Sequence, residues 1–85
     1  MIKVLFFAQT RELVGVDGLE LEEQFETVEA IRAYLVDTGS VKHGKWDLAL
    51  EPGKLLAAVN QSIVPLETAV KAGDEVAFFP PVTGG

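Results

Sequence analysis

"TVEAIRAYLVDTG", residues 27–39, carries the one long helical pattern in the chain. The Thr27 hydroxyl suits a helix start, Val28, Ile31 and Leu35 recur at helical spacing, and Ala30 and Tyr34 widen the stripe. Glu29, Arg32 and Asp37 lie off it, and Gly39 is the expected end. On the N-terminal side, "MIKVLFFAQ" (1–9) is rich in β-branched and aromatic residues and reads as a strand. Alternation puts Ile2, Val4 and Phe6 on one face and Lys3, Leu5 and Phe7 on the other. Thr10 is placed to cap a helical turn over 11–14, which Gly15 stops. Val16-Asp17-Gly18 turns the chain into Leu19-Glu20-Leu21-Glu22, alternately apolar and acidic. That strand is expected to continue toward Phe25 and to pair antiparallel with the first.

On the C-terminal side, "GSVKHGK" (39–45) reads as a polar loop, Trp46 to Leu50 as a second short helix, and 51–54 as a turn. "LLAAV" and "SIV" are strands joined through Asn60-Gln61, where Asn tolerates the left-handed backbone of a tight hairpin. "KAGDE" turns into Val76–Phe79, a strand ended by Pro80-Pro81, which have no N–H to give a ladder. One long helix across one mixed sheet is the economical way to cover the sheet's apolar face. The expectation is an α+β domain of β-grasp type over residues 1–80, followed by an extended, flexible Gly-Gly tail over 81–85.

Composition narrows the function. The 85 residues suffice for one modest core. Seven basic residues against thirteen acidic give a formal charge of -6, which argues against nucleic acid and suits a protein partner with a basic docking face. No cysteine is present, which excludes a thiolate nucleophile, a persulfide on this chain and a Cys-based metal site. His43 is the sole histidine, so no metal site is expected. The acidic residues 20, 22, 23 and 26 read as a solvated face. Residues 39–45 have the Gly and Lys spacing of a phosphate loop, but Trp46 stands where Ser or Thr is needed and a helix precedes instead of a strand. The apolar run from Val4 to Ala8 is too short for a secretory signal, and no run is long enough to span a membrane. A cytoplasmic protein without membrane contact is expected.

The end of the chain, "FFPPVTGG" (78–85), is where function concentrates. Two prolines hold the chain extended, and it then narrows to Gly84-Gly85, which have nothing to pack. A stiff stalk with a tip free of side chains fits an active site reached through a narrow channel, and the one distinctive chemical group is the Gly85 carboxylate. Phe7 and Phe79 both face away from the core sets of their strands. With the last strand beside the first, they share the face the helix leaves uncovered, joined by Ile63, as a docking patch.

The strings "MIKVLFFAQ", "RELVG", "TVEAIR", "GKLLAAVNQ" and "GDEVAFFPPVTGG" together resemble the small, sulfur-carrier subunits of molybdopterin synthase, a ubiquitin-like family. The loop "DTGSVKHGKW" looks longer than is usual there. The resemblance implies that an adenylating partner uses ATP to convert Gly85 into a glycyl adenylate. Sulfur from a sulfurtransferase or cysteine desulfurase then gives 1-thioglycine at Gly85. It further implies a heterotetramer of two small and two large subunits. There the large subunit supplies the catalytic side chains, and cyclic pyranopterin monophosphate receives the sulfur for the molybdopterin dithiolene. On that pattern Gly84 permits close approach, Val82 and Thr83 line the inserted tail, Phe7, Ile63 and Phe79 dock, and the chain binds no cofactor itself. Two alternatives share a Gly-Gly end: the sulfur carrier of thiamine thiazole synthesis, whose chains are generally shorter, and a ubiquitin-like modifier joined to lysines.

Overall fold

The computed structural model describes residues 1–43, 46–51 and 53–81. Along the chain run β1 (Ile2–Phe6), α1 (Ala8–Val14), β2 (Gly18–Leu21), α2 (Val28–His43), α3 (Trp46–Ala49), β3 (Leu56–Val59), β4 (Ser62–Val64) and β5 (Glu75–Phe79). The strands form one mixed sheet in the order β2-β1-β5-β3-β4. β1 is antiparallel to β2 and parallel to β5, while β3 is antiparallel to both β4 and β5. This is the β-grasp arrangement expected from the helix and strand pattern.

The core lies between one face of the sheet and α2. Ile2, Val4 and Phe6 of β1, Ala57 of β3, and Val76 and Phe78 of β5 pack with Val28, Ile31 and Leu35, the apolar stripe of the helix. At its centre Phe6 stacks on Phe78 with ring centroids 6.3 Å apart and meets Trp46 edge-on at 5.5 Å. The Trp46 that breaks the phosphate-loop spacing is therefore a core residue. Thr27 caps α2 as expected, its Oγ1 accepting from the Ala30 N–H at 3.1 Å.

Several boundaries differ from the expectation. α2 does not stop at Gly39 but continues to His43, so most of the expected polar loop is helix. A glycine inside a helix costs about 1 kcal/mol relative to alanine, which weakens the helix without ending it. α1 begins at Ala8 instead of after Thr10, because β1 runs straight into it. Phe7 occupies the cap position with extended backbone, Ala8 makes the corner at φ 53°, and Thr10 is buried inside the helix. Gly15 does end α1, at φ 84°. β2 stops at Leu21 and does not continue toward Phe25, since Leu21 already pairs with Ile2, the first residue of β1.

Arg32 lies off the apolar stripe by spacing, yet its side chain is only 12% exposed. Its guanidinium donates to Glu29 through both Nε, at 2.8 Å, and Nη2, and Nη1 reaches the Leu50 carbonyl at 3.0 Å. It thereby ties α2 to the residue that follows α3. The hydrogen bonds from Arg32 hold the Glu29 carboxyl below its ordinary pKa.

At the opposite end of the sheet, Asn60 and Gln61 make the β3–β4 hairpin, both at positive φ (51° and 74°). The Asn60 side chain donates to Asp74 Oδ1 at 3.1 Å and accepts from the Glu75 N–H at 3.0 Å. Asp74 Oδ2 accepts from the Lys71 N–H at 2.9 Å. This buried carboxylate thus fastens the hairpin to the turn before β5. The Lys71 N–H and then the Asn60 amide hold the Asp74 pKa below its ordinary value. A depressed carboxylate contributes stability above its unfolded pKa of about 3.9, and that contribution is lost as pH falls through the folded value. Asp74→Asn should therefore melt lower than wild type at neutral pH, with the two melting curves converging as the pH is taken below about 4. Thermal melts across pH 2 to 7 check this; a constant gap would show that Asp74 acts through shape alone.

Candidate functional site: an uncovered sheet face at the root of the tail

The parallel pairing of β1 with β5 decides where the expected site residues meet. Phe6 is in register with Phe78, and the Phe7 N–H donates to the Phe78 carbonyl at 3.2 Å. Both strands end on the same side of the sheet, so Phe7 and Phe79 are neighbours on the face opposite α2. Phe7 is 46% exposed and Phe79 half-buried. Ile63 joins from β4, opposite Ala58, and is 67% exposed. The three residues expected to form the patch thus share one face.

The register adds residues that alternation along single strands did not single out. Leu56 lies opposite Phe79, and a row Leu5–Ala77–Ala58–Ile63 crosses four strands. Ala58 and Ala77 are 7% and 8% exposed although no helix covers them, because larger neighbours wall them in. The face is therefore an apolar surface with a flat alanine floor. "LAAV" is apolar throughout and does not sort its own faces; the strand order does. On the side away from the tail the patch is bounded by a charged row, Glu20–Lys3–Glu75.

Pro80 is half-buried and lines a cleft of about 250 Å³ with Thr10 and Leu13 of α1, Ala49 of α3, and Lys54. The root of the tail thus borders a cleft shared with two short helices, close to the Phe6–Phe78–Trp46 cluster. The expected tail residues Val82, Thr83, Gly84 and Gly85 lie outside the described residues.

Residues 4–85, which take in both the face and the tail, match the ThiS family. The chain belongs to that family. It is 64% identical to the molybdopterin synthase sulfur carrier subunit of Haemophilus influenzae and 59% identical to that of Escherichia coli, over 85 residues and the whole of each chain. Among solved structures, SAMP1 from Haloferax volcanii matches with a TM-score of 0.72 at 27% identity, covering 99% of this chain and 98% of that one. The resemblance carried by the quoted strings therefore extends over the full length.

Among the described residues no group of three His, Cys, Asp or Glu is gathered closely enough to hold a metal ion, and no helix is long and apolar enough to cross a membrane. The exposed face and the buried face should respond differently to truncation. Val4→Ala empties a fully buried site and should cost on the order of 2 kcal/mol. Phe7→Ala removes a half-exposed ring and should cost less than about 1 kcal/mol. Urea unfolding of both variants measures the difference; equal losses would place Phe7 in the core.

Proposed function

We propose that this chain is the sulfur carrier subunit of a molybdopterin synthase in molybdenum cofactor biosynthesis, and that its reactive group is the C-terminal carboxylate of Gly85. The observation that supports this best is geometric: an uncovered apolar face lies at the end of the sheet where β5, the strand that leads into the C-terminal residues, finishes. A partner seated on Phe7, Ile63 and Phe79 receives the tail at the same time. The full-length likeness to sulfur carrier subunits supports the same reading.

A carboxylate is a poor electrophile, so the chemistry begins with activation. In an adenylating partner a Gly85 oxygen attacks the α-phosphorus of ATP, pyrophosphate leaves, and a glycyl adenylate forms. The terminal sulfur of a persulfide on a sulfurtransferase or cysteine desulfurase displaces AMP, and a thiol reductant then cleaves the resulting acyl disulfide, leaving Gly85 as 1-thioglycine. In the large subunit, this sulfur displaces an oxygen substituent from a carbon of cyclic pyranopterin monophosphate, and water then hydrolyses the carrier–substrate thioester, leaving the sulfur on the substrate and releasing the carrier as a carboxylate. Two loaded carriers acting in succession supply both dithiolene sulfurs, in a heterotetramer of two small and two large subunits. Docking makes the transfer effectively intramolecular, which is worth several kcal/mol of barrier on its own, about 7–11 in well-oriented systems.

This chain contributes the acyl group and the means of positioning it. The absence of cysteine removes the side chain that would most readily attack an activated terminus in place of the sulfur donor. Gly84 and Gly85 bring no side chain into a narrow channel, with Thr83 and Val82 behind them lining it. Catalytic side chains belong to the large subunit, and the chain binds no cofactor of its own; ATP is consumed by the adenylating partner.

Incubation with the adenylating enzyme, ATP and a sulfur donor should raise the intact mass by about 16 Da, one oxygen replaced by sulfur. An unchanged mass, with that enzyme active on another carrier, would refute the proposal. Stable isopeptide adducts on other proteins would favour a modifier instead. Deleting Gly84-Gly85 should abolish loading while leaving the melting temperature within a degree or so. Phe79→Ala should weaken binding to the large subunit by roughly thirtyfold, about 2 kcal/mol, measured by titration calorimetry.

A further inference from the structure

The sheet has two edges, and the fold treats them differently. β4, the edge on one side, is three residues long and is followed at once by Pro65, features that blunt an edge against further pairing. β2, the edge on the other side, is four residues long and contains no proline. Its backbone polarity follows from the register. The Phe6 N–H donates to the Asp17 carbonyl at 2.9 Å, so Val4–Leu19 and Ile2–Leu21 are the next hydrogen-bonded pairs in an antiparallel ladder. The N–H and C=O groups of Gly18 and Glu20 consequently point away from β1, toward the place of a missing strand.

The side chains beside that place alternate. Glu20 and Glu22 are exposed, whereas Leu19 is half-buried and Leu21 buried against the core. Next to them an open groove is lined by Met1, Glu20, Leu21, Glu22, Glu23 and Tyr34. Tyr34 is held there by its hydroxyl, which donates to Glu23 at 2.9 Å, and by an edge-on contact with Phe25 at 5.2 Å.

We propose that the outer edge of β2 takes up an extended, basic segment of a partner protein as an added strand, with Lys or Arg at every second position. An added strand satisfies the outward groups of Gly18 and Glu20. Its basic residues fall opposite Glu20 and Glu22, and the apolar residues between them fall beside Leu19 and Leu21, both favourable cross-strand pairings. A second copy of this chain is the wrong occupant. Self-pairing would set Glu20 and Glu22 against acidic residues of another molecule with a charge of -6. The acids that keep the edge from pairing with itself thus select a partner of opposite charge. This surface lies apart from Phe7, Ile63 and Phe79, and the inference does not rest on the sulfur chemistry.

The probe is a capped peptide, Lys-Val-Lys-Val-Lys-Val-Lys, titrated into the full chain and followed by backbone amide shifts and hydrogen exchange. Shifts should centre on residues 18–23, and the Glu20 amide should gain protection. Raising NaCl from 50 to 500 mM should weaken binding at least tenfold. Glu20→Pro removes the outward N–H while sparing the ladder to β1, and should weaken binding at least tenfold with the other amides unmoved. Should that variant not fold, the doubly reversed Glu22→Lys, Glu23→Lys chain should show the same loss. The proposal is overturned if a peptide of the same composition with its lysines in one block binds as tightly. Shifts centred on Leu5, Ala58 and Ala77 would also overturn it, as would Glu20 protection that appears without peptide and grows with protein concentration.

Discussion

The parallel pairing of β1 with β5 in the middle of the sheet is the constraint on which the rest depends. It joins the two ends of the sequence, places Val4 beside Val76 and Phe6 beside Phe78, and so creates the row that α2 covers. The same pairing brings Phe7 beside Phe79 on the other face, at the point where the chain leaves the sheet. Core and candidate docking face are thus the two sides of one ladder. A slip of β1 by one residue would turn that strand over, burying Phe7 and exposing Phe6.

Much of this arrangement was legible in the residue pattern. Period-two alternation in "IKVLF" sorted the first strand into its two faces, and the stripe of Val28, Ile31 and Leu35 identified the covering helix. The Asn60-Gln61 hairpin followed from the tolerance of Asn for positive φ, although Gln61 shares that conformation without the same tolerance. What was not legible depended on tertiary context. Gly39 looked like a stop, but a glycine ends a helix only where the chain takes up left-handed backbone. Thr10 looked like a cap, but the strand before it runs directly into the helix. Arg32 appeared solvated by spacing, because nothing local announces that the Leu50 carbonyl waits within reach of its guanidinium.

The candidate site divides in the same way. Phe7 and Phe79 were reached from alternation together with the expected pairing of the first and last strands, and Ile63 was added from its own short strand. Leu56 and the Ala58–Ala77 pair were not reached, because their place depends on which strands are neighbours across the sheet. The acidic residues were read as a solvated face, which is what their exposure shows. Their relation to an unpaired strand edge emerges only with the strand order.

The alanine floor has a consequence for how the face behaves when it is covered. Alanine has no rotamers to lose, so the centre of the patch surrenders no side-chain entropy when another surface settles on it. The aromatic residues beside it have two χ angles each, and Phe79 is already half-held by its neighbours. Such a face arrives preorganised, and little of the contact energy is consumed in ordering it. Complexes of this kind can be small and yet specific, and can part quickly when the partner has finished. Under the proposed function the chain visits one protein to be loaded and another to be emptied, and rapid parting is then worth as much as tight grip.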